Sequence, residues 1–190
     1  PLVISSAFVT HKDNQSFKDT KEVLIKETFK LMFEKYQIVP PFDLSNVKPL
    51  VSVIIATHNR PNLVKNAIKS IENNFYKNFE LIVVDYCSTE STIKELYALQ
   101  QRIKNLKIIR LPENSGSVRA RRVGINASSG QYLMISDDDD TVLQNRISAP
   151  LNYLIKHPQL DVVYCNFNII ENNGKITPSA CKNFDFDAYL

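Results

Sequence analysis

Two hydrophobic periods alternate along most of this chain. From Leu50 onward, short apolar runs are separated by segments whose apolar residues recur every three to four positions. Leu50–Ala56 (LVSVIIA), Phe79–Asp85 (FELIVVD), Leu106–Leu111 (LKIIRL), Tyr132–Ser136 (YLMIS) and Asp161–Ile170 have the length and branched side chains of strands. Between them, Leu63–Asn73, Ser91–Gln101, Ser117–Ser128 and Val142–His157 read as helices. Their inward stripes are Leu63, Val64, Ala67, Ile68 and Ile71 in the first, and Ile93, Leu96 and Tyr97 in the second. Leu143, Ile147, Leu151, Leu154 and Ile155 stay in phase in the last. Asn173-Gly174 predicts a tight hairpin turn into a short return strand.

Residues 1–16 show no period and read as an irregular lead-in. Residues 17–36 carry an apolar stripe of Ile25, Phe29, Met32, Phe33 and Tyr36, which predicts an amphipathic helix. Pro40-Pro41 ends it and opens a linker. The expected organisation is an N-terminal extension over 1–48 and a domain over 49–190. Four strand–helix alternations imply an α/β fold of three layers, α/β/α, around a mostly parallel sheet. Strands that are apolar along their whole length agree, because parallel sheets are covered on both faces.

Composition narrows the function class. With 190 residues, 44% hydrophobic and 23% charged, the chain fits an ordinary globular protein. A net charge of +3 is too small for a nucleic-acid binder. No apolar run has the length of a membrane span, and Pro1–Ser5 does not begin a signal peptide. Cys87, Cys165 and Cys181 form no CxxC pair, which favours a reducing cytoplasm over a disulfide scaffold.

In a parallel α/β sheet the ligand lies beyond the carboxyl ends of the strands. The first strand runs into Ala56-Thr57-His58-Asn59-Arg60-Pro61, a turn in which Asn59 is placed to cap the next helix. The absence of GxGxxG and GxxxxGK removes the main support for a dinucleotide site or a phosphate loop. The second strand ends on Asp85-Tyr86-Cys87-Ser88-Thr89, where Asp85 is either a cap or a polar partner for a ligand. The fourth runs into Asp137-Asp138-Asp139-Asp140, the strongest chemical signal in the chain. Four adjacent carboxylates at a buried strand end repel one another unless a cation is present. If the strand pleat continues, Asp137 and Asp139 share a side and offer hard oxygen ligands suited to Mg²⁺ or Mn²⁺. Thr141 and Gln144 have capping-box spacing for the helix that follows. Upstream, Gly116 permits a turn, Gly124 suggests close packing, and one or two of Arg119, Arg121 and Arg122 face the acidic cluster or an anionic ligand.

These segments, taken together, resemble the family 2 inverting glycosyltransferases, nucleotide-diphospho-sugar transferases of the GT-A fold. Val51–Arg60 resembles that family's opening strand and loop. Val83–Thr89 resembles the strand running into its Asp-Asp-Gly-Ser. Asn114–Ile125 resembles its NxGxxxARNxGI stretch, and Gly130–Asp140 resembles the segment bearing its DxD-type motif. The resemblance covers residues 50–170. It implies Asp139, with Asp137, as metal ligands for Mn²⁺ or Mg²⁺. It places Asp137 or Asp138 near a ribose or a metal-bound water, and Ala56, Thr57, His58 and Arg60 along the nucleotide pocket. Asp85 and Tyr86 are expected at the base and ribose, and Arg121 on the nucleotide side.

The sequence departs from that pattern at three positions. Tyr86 stands where the family often carries a base-reading Asp, His58 where it carries Tyr, and Cys87 where it carries Gly. The implied reaction transfers a sugar from a nucleoside-diphosphate donor, a UDP-sugar by default, to the hydroxyl of a glycan, lipid-linked or protein acceptor, with inversion. The general base is expected beyond Leu190, so the 190 residues are read as a donor-binding part not competent alone for transfer. A cytoplasmic location, at most at the inner face of a membrane, and a homo-oligomer formed through the N-terminal helix are further expectations. The rival readings are a sugar nucleotidyltransferase and a degenerate, non-catalytic binding module.

Overall fold

The computed structural model describes residues 7–10, 48–171 and 173–179. The amphipathic stripe of residues 17–36, the Pro40-Pro41 linker and Cys181 lie outside the described residues. The described elements are β1 (Ala7–Thr10), β2 (Val51–Thr57), α1 (Pro61–Glu72), β3 (Phe79–Asp85), α2 (Glu90–Arg102), β4 (Leu106–Arg110) and α3 (Gly116–Asn126). They continue as β5 (Tyr132–Asp137), β6 (Asp140–Val142), α4 (Ser148–Lys156), β7 (Phe167–Ile170) and β8 (Ile176–Ser179).

The expected parallel sheet is present, with strand order β4-β3-β2-β5 and every neighbouring pair parallel. β2 sits at its centre and is buried along its whole length, as a strand covered on both faces must be. On one face Val53, Ile55, Leu81 and Val83 meet Val64, Ile68 and Ile71 of α1 and Ile93, Leu96 and Leu99 of α2. Each fully buried Ile or Leu of this layer contributes about 1.5–3 kcal/mol. On the other face Ala56, Ile82 and Val84 pack against Ala120 of α3. Gly124 lets α3 lie close: a Cβ there would stand 2.5 Å from Ile54 Cγ2.

A second sheet, of order β6-β1-β7-β8, collects the remaining strands. β1 runs antiparallel to β6 and parallel to β7. Residues 7–10 are therefore an inner strand of this sheet, where the sequence pattern suggested an irregular lead-in. Four residues are too few to show a period, and the strand exists through pairing with partners more than 130 positions away.

Other expectations change as well. The strand expected over 161–170 is regular only at Phe167–Ile170, and Val162 is exposed. It belongs to the second sheet rather than extending the parallel one. The helix expected over 142–157 begins at Ser148, because Pro150 lacks an N–H and fits only the first turn. Residues 140–142 form β6 instead, so Thr141 is a strand residue and not a helix cap. The intervening turn is held by buried Asn74, whose Nδ2 donates to the Leu143 carbonyl and whose Oδ1 accepts from the Ile147 N–H. Leu63 and Tyr97 are exposed, while Leu99 completes the buried stripe of α2. The hairpin at Asn173-Gly174 is present: Gly174 takes φ +82° and joins antiparallel β7 and β8.

Candidate active site

In the parallel sheet, strand order reverses between β2 and β5. β3 and β4 extend to one side of β2, and β5 lies on the other. Such a reversal leaves a crevice at the carboxyl ends of the two diverging strands. The loop after β2 and the acidic turn after β5 form its walls, and direct side-chain bonds span it.

Thr57, fully buried, donates its hydroxyl to Asp138 Oδ2 at 2.8 Å. The Nη1 of Arg60 lies 2.9 Å from Asp138 Oδ1 and 3.1 Å from Asp139 Oδ2. Asp138 is buried and turned into the protein, whereas Asp137 is exposed and pairs with Arg121. β5 ends at Asp137 and the chain turns through 138 and 139, so the pleat that would align Asp137 with Asp139 does not continue. Both carboxylates nevertheless remain more open than Asp138.

The electrostatics of this turn are strained. Burial raises Asp138 above the usual carboxylate range, against the hydrogen bond from Thr57 and the charge of Arg60. Burial, reinforced by Asp137 and Asp139, pushes Asp140 up to about 7. Asp140 Oδ1 and Arg121 Nε are buried without a hydrogen-bond partner among the described residues. Orphaned polar atoms beside a pile-up of carboxylates mark a site that lacks a counterpart. No group of three His, Cys, Asp or Glu residues converges to hold a metal among the described residues. The donor set nonetheless fits Mg²⁺ or Mn²⁺, which need only one or two carboxylates when substrate phosphates and water complete the shell. Asp139 and Asp137 are the residues that would hold such an ion.

The loops after β2, β3 and β4 are stitched together. The Asn59 N–H donates to Ser88 Oγ, and its Oδ1 accepts from the Thr89 N–H, both at 2.8 Å. Asn59 thus ties two loops rather than capping α1, whose N-cap residue is Arg60, with no side-chain bond to the helix end. His58 stacks on Tyr86 with ring centroids 5.1 Å apart and planes 17° apart. Its Nδ1 lies 3.0 Å from the Tyr86 carbonyl, which only accepts, so Nδ1 carries the proton. Nε2 is then left to accept from the side-chain amides of Asn59 and Asn114. Burial and the charge of Asp138 raise the Tyr86 phenol above its ordinary pKa. Asp85 is fully buried and caps the N–H of Ser88, with Arg110 Nε 3.7 Å away. Its carboxylate is engaged with the Ser88 N–H at the end of β3.

Thr57, Arg60, Asp138 and Asp139 thus form one bonded cluster, Arg121 and Asp137 form a separate pair on the adjoining strand end, and His58 and Tyr86 stack on each other. Asn114, Ser88 and Arg110 were not singled out as site residues from the sequence. Their shared signal is position, since each follows or ends a strand of the parallel sheet.

Residues 52–188 match Glycosyl transferase family 2. The chain belongs to this family. Among similar proteins, an uncharacterized glycosyltransferase of Methanocaldococcus jannaschii is 34% identical over 134 residues, covering 68% of this chain and 45% of that one. An uncharacterized glycosyltransferase of Haemophilus influenzae is 29% identical over 126 residues, covering 66% and 50%. The chain therefore spans half or less of the length of these relatives. Among solved structures, S. aureus TarS 1-349 in complex with UDP-GlcNAc superposes with a TM-score of 0.53 at 26% identity, covering 57% of this chain and 32% of that one. A Pyrobaculum calidifontis mannosyltransferase in complex with GDP-Man and Mn²⁺ superposes with a TM-score of 0.54 at 18% identity, covering 71% and 41%. That likeness speaks to the GT-A type of fold. No helix among the described residues is long and apolar enough to cross a membrane.

Proposed function

We propose that these residues form the donor-binding part of an inverting, metal-dependent glycosyltransferase that uses a nucleoside-diphosphate sugar, by default a UDP-sugar. The observation that carries the reading is the crevice at the strand-order reversal, where Thr57 and Arg60 face Asp138 and Asp139 across the gap. The complex of TarS with UDP-GlcNAc, at 26% identity, supports a uridine nucleotide as the first ligand to try. Arg60 and Arg121 offer guanidinium groups to the diphosphate, and Asp138 holds the turn in place from below. A divalent ion on Asp139 and Asp137 would neutralise charge on the leaving diphosphate. The acceptor, a glycan, lipid or protein hydroxyl, needs a base that none of these site residues supplies.

Calorimetry of UDP binding with and without Mn²⁺ tests the reading. Affinity should require Mn²⁺, and Asp139→Ala should remove most of the Mn²⁺-dependent part while the far-UV spectrum stays unchanged. Equal affinity in wild type and variant would refute Asp139 as the ligand.

One observation favours the second reading, a degenerate binding module. Asp85 is fully buried with its carboxylate bonded to the Ser88 N–H, and position 86 is Tyr, so the second loop presents no exposed carboxylate. On that reading neither UDP nor GDP binds in the presence of Mn²⁺, and the same titration separates the two.

A further inference from the structure

We infer that Arg60 is a built-in counter-cation of the acidic turn. In the nucleotide-free protein it holds the carboxylate that a divalent ion needs, so metal and nucleotide are taken up together. The inference rests on the metal-dependent reading above and deepens it.

A single nitrogen of Arg60 touches both Asp138 and Asp139, at 2.9 and 3.1 Å, and so places one positive charge against two carboxylates. The two carboxylates differ in freedom. Asp138 has a side chain 7% exposed and a second bond from Thr57. Asp139 is 22% exposed and Arg60 is 39% exposed. Arg60 can therefore swing into solvent while Asp138 keeps the turn closed. Arg121 does for Asp137 what Arg60 does for its neighbours. Two guanidinium groups thus compensate three carboxylates, and both expected metal ligands are already paired.

A divalent ion arriving alone must break the Arg60–Asp139 contact and then sit beside a displaced positive charge. A diphosphate arriving with the ion removes that obstacle. Its oxygens are good partners for guanidinium, which binds phosphate in a two-pronged fashion. Arg60 exchanges a carboxylate for a phosphate, and Asp139 exchanges a guanidinium for the metal. Arg60 and Asp139 each keep a charged partner, and Asp138 keeps the hydrogen bond from Thr57. Coupling of this kind is reciprocal: the nucleotide strengthens metal binding by the factor with which the metal strengthens nucleotide binding.

The test is a Mn²⁺ titration read by the electron paramagnetic resonance of free Mn²⁺, with and without UDP, on the whole chain. Wild type should bind Mn²⁺ weakly alone and much more tightly with UDP. Arg60→Gln removes the charge and should bind Mn²⁺ alone about tenfold more tightly, with a correspondingly smaller gain from UDP. Arg60→Lys keeps the charge and should stay near wild type in the absence of UDP. Arg60→Met serves the same prediction if the glutamine variant loses its far-UV spectrum. Tight, UDP-supported Mn²⁺ binding by wild type, with no gain in metal-alone affinity on losing the charge, would overturn the inference and leave the metal-dependent reading standing. Failure of wild type to bind Mn²⁺ even with UDP would overturn both.

Discussion

Cys87 takes φ +70°, in the left-handed region that costs a residue with a Cβ roughly 1–2 kcal/mol. The fold demands that conformation: it reverses the chain after β3 so that the Ser88 N–H meets Asp85 and Ser88 Oγ meets Asn59. Cys87 recovers little in exchange, a weak contact of its thiol with the Pro112 carbonyl at 3.6 Å. Cys87→Gly should therefore raise stability by about 0.5–1 kcal/mol, after allowing for the greater entropy of Gly in the unfolded chain. A urea midpoint that does not move upward would show that the thiol contact is worth as much as the strain. Asn59, at φ +54°, is a different case, because Asn tolerates this region and its side chain is engaged with Thr89. The sequence signalled position 87 through the resemblance alone. It did not reveal that Arg60 bridges Asp138 and Asp139 or that Asp85 is fully buried. Those facts depend on distances between loops about 30 to 80 residues apart.

Among the elements, α3 shows how much a helix depends on one missing side chain. Ala in place of Gly124 would gain up to about 1 kcal/mol in helix propensity. The added Cβ would meet Ile54 Cγ2 at 2.5 Å and Val84 Cγ2 at 3.2 Å, on strands that are fully buried and cannot retreat. Overpacking of this kind costs about 1–3 kcal/mol, so Gly124→Ala should be destabilising by about 1–2 kcal/mol net. Denaturant unfolding measures it, and a more stable variant would mean that α3 can lift off the sheet freely. The elements legible in the sequence were those with enough residues to display a period. β2 and β3 are legible because they are apolar runs buried along nearly their whole length, and α1 and α2 because each lays a regular stripe on the same sheet, while β4, β5 and α3 are buried only in part. The elements missed were short and defined by their partners. β6 is three residues long and begins inside the acidic run, and β1 is four residues long. The late start of α4 had a readable cause in Pro150, which apolar periodicity alone overrode.

For the molecule as a whole, the consequence of β1 is that residues 7–10 pair with the strand on which the acidic run ends. Among the described residues β6 has β1 as its single neighbour in the second sheet, with Val9 opposite Asp140, Phe8 opposite Thr141 and Ala7 opposite Val142. The acidic turn is therefore anchored at both ends, to the parallel sheet through β5 and to the second sheet through β6. Removing residues 1–10 deletes the strand that β6 pairs with and leaves every crevice residue named above in the chain. The four-stranded parallel sheet has its own core and should survive. β6 would keep its ties to α1 and the main core, such as the bond from the Val142 N–H to Ser70 Oγ and the burial of Val142. A ligand set that must be held within a fraction of an ångström does not tolerate such loosening. The truncated chain should keep a cooperative melt and most of its far-UV signal, yet lose about tenfold in Mn²⁺-dependent UDP affinity, a change of about 1.4 kcal/mol. Calorimetry beside a thermal melt distinguishes this from general unfolding. A truncated chain that binds UDP as tightly as the intact one would show that β5 alone holds the turn and that β1 has no part in the site.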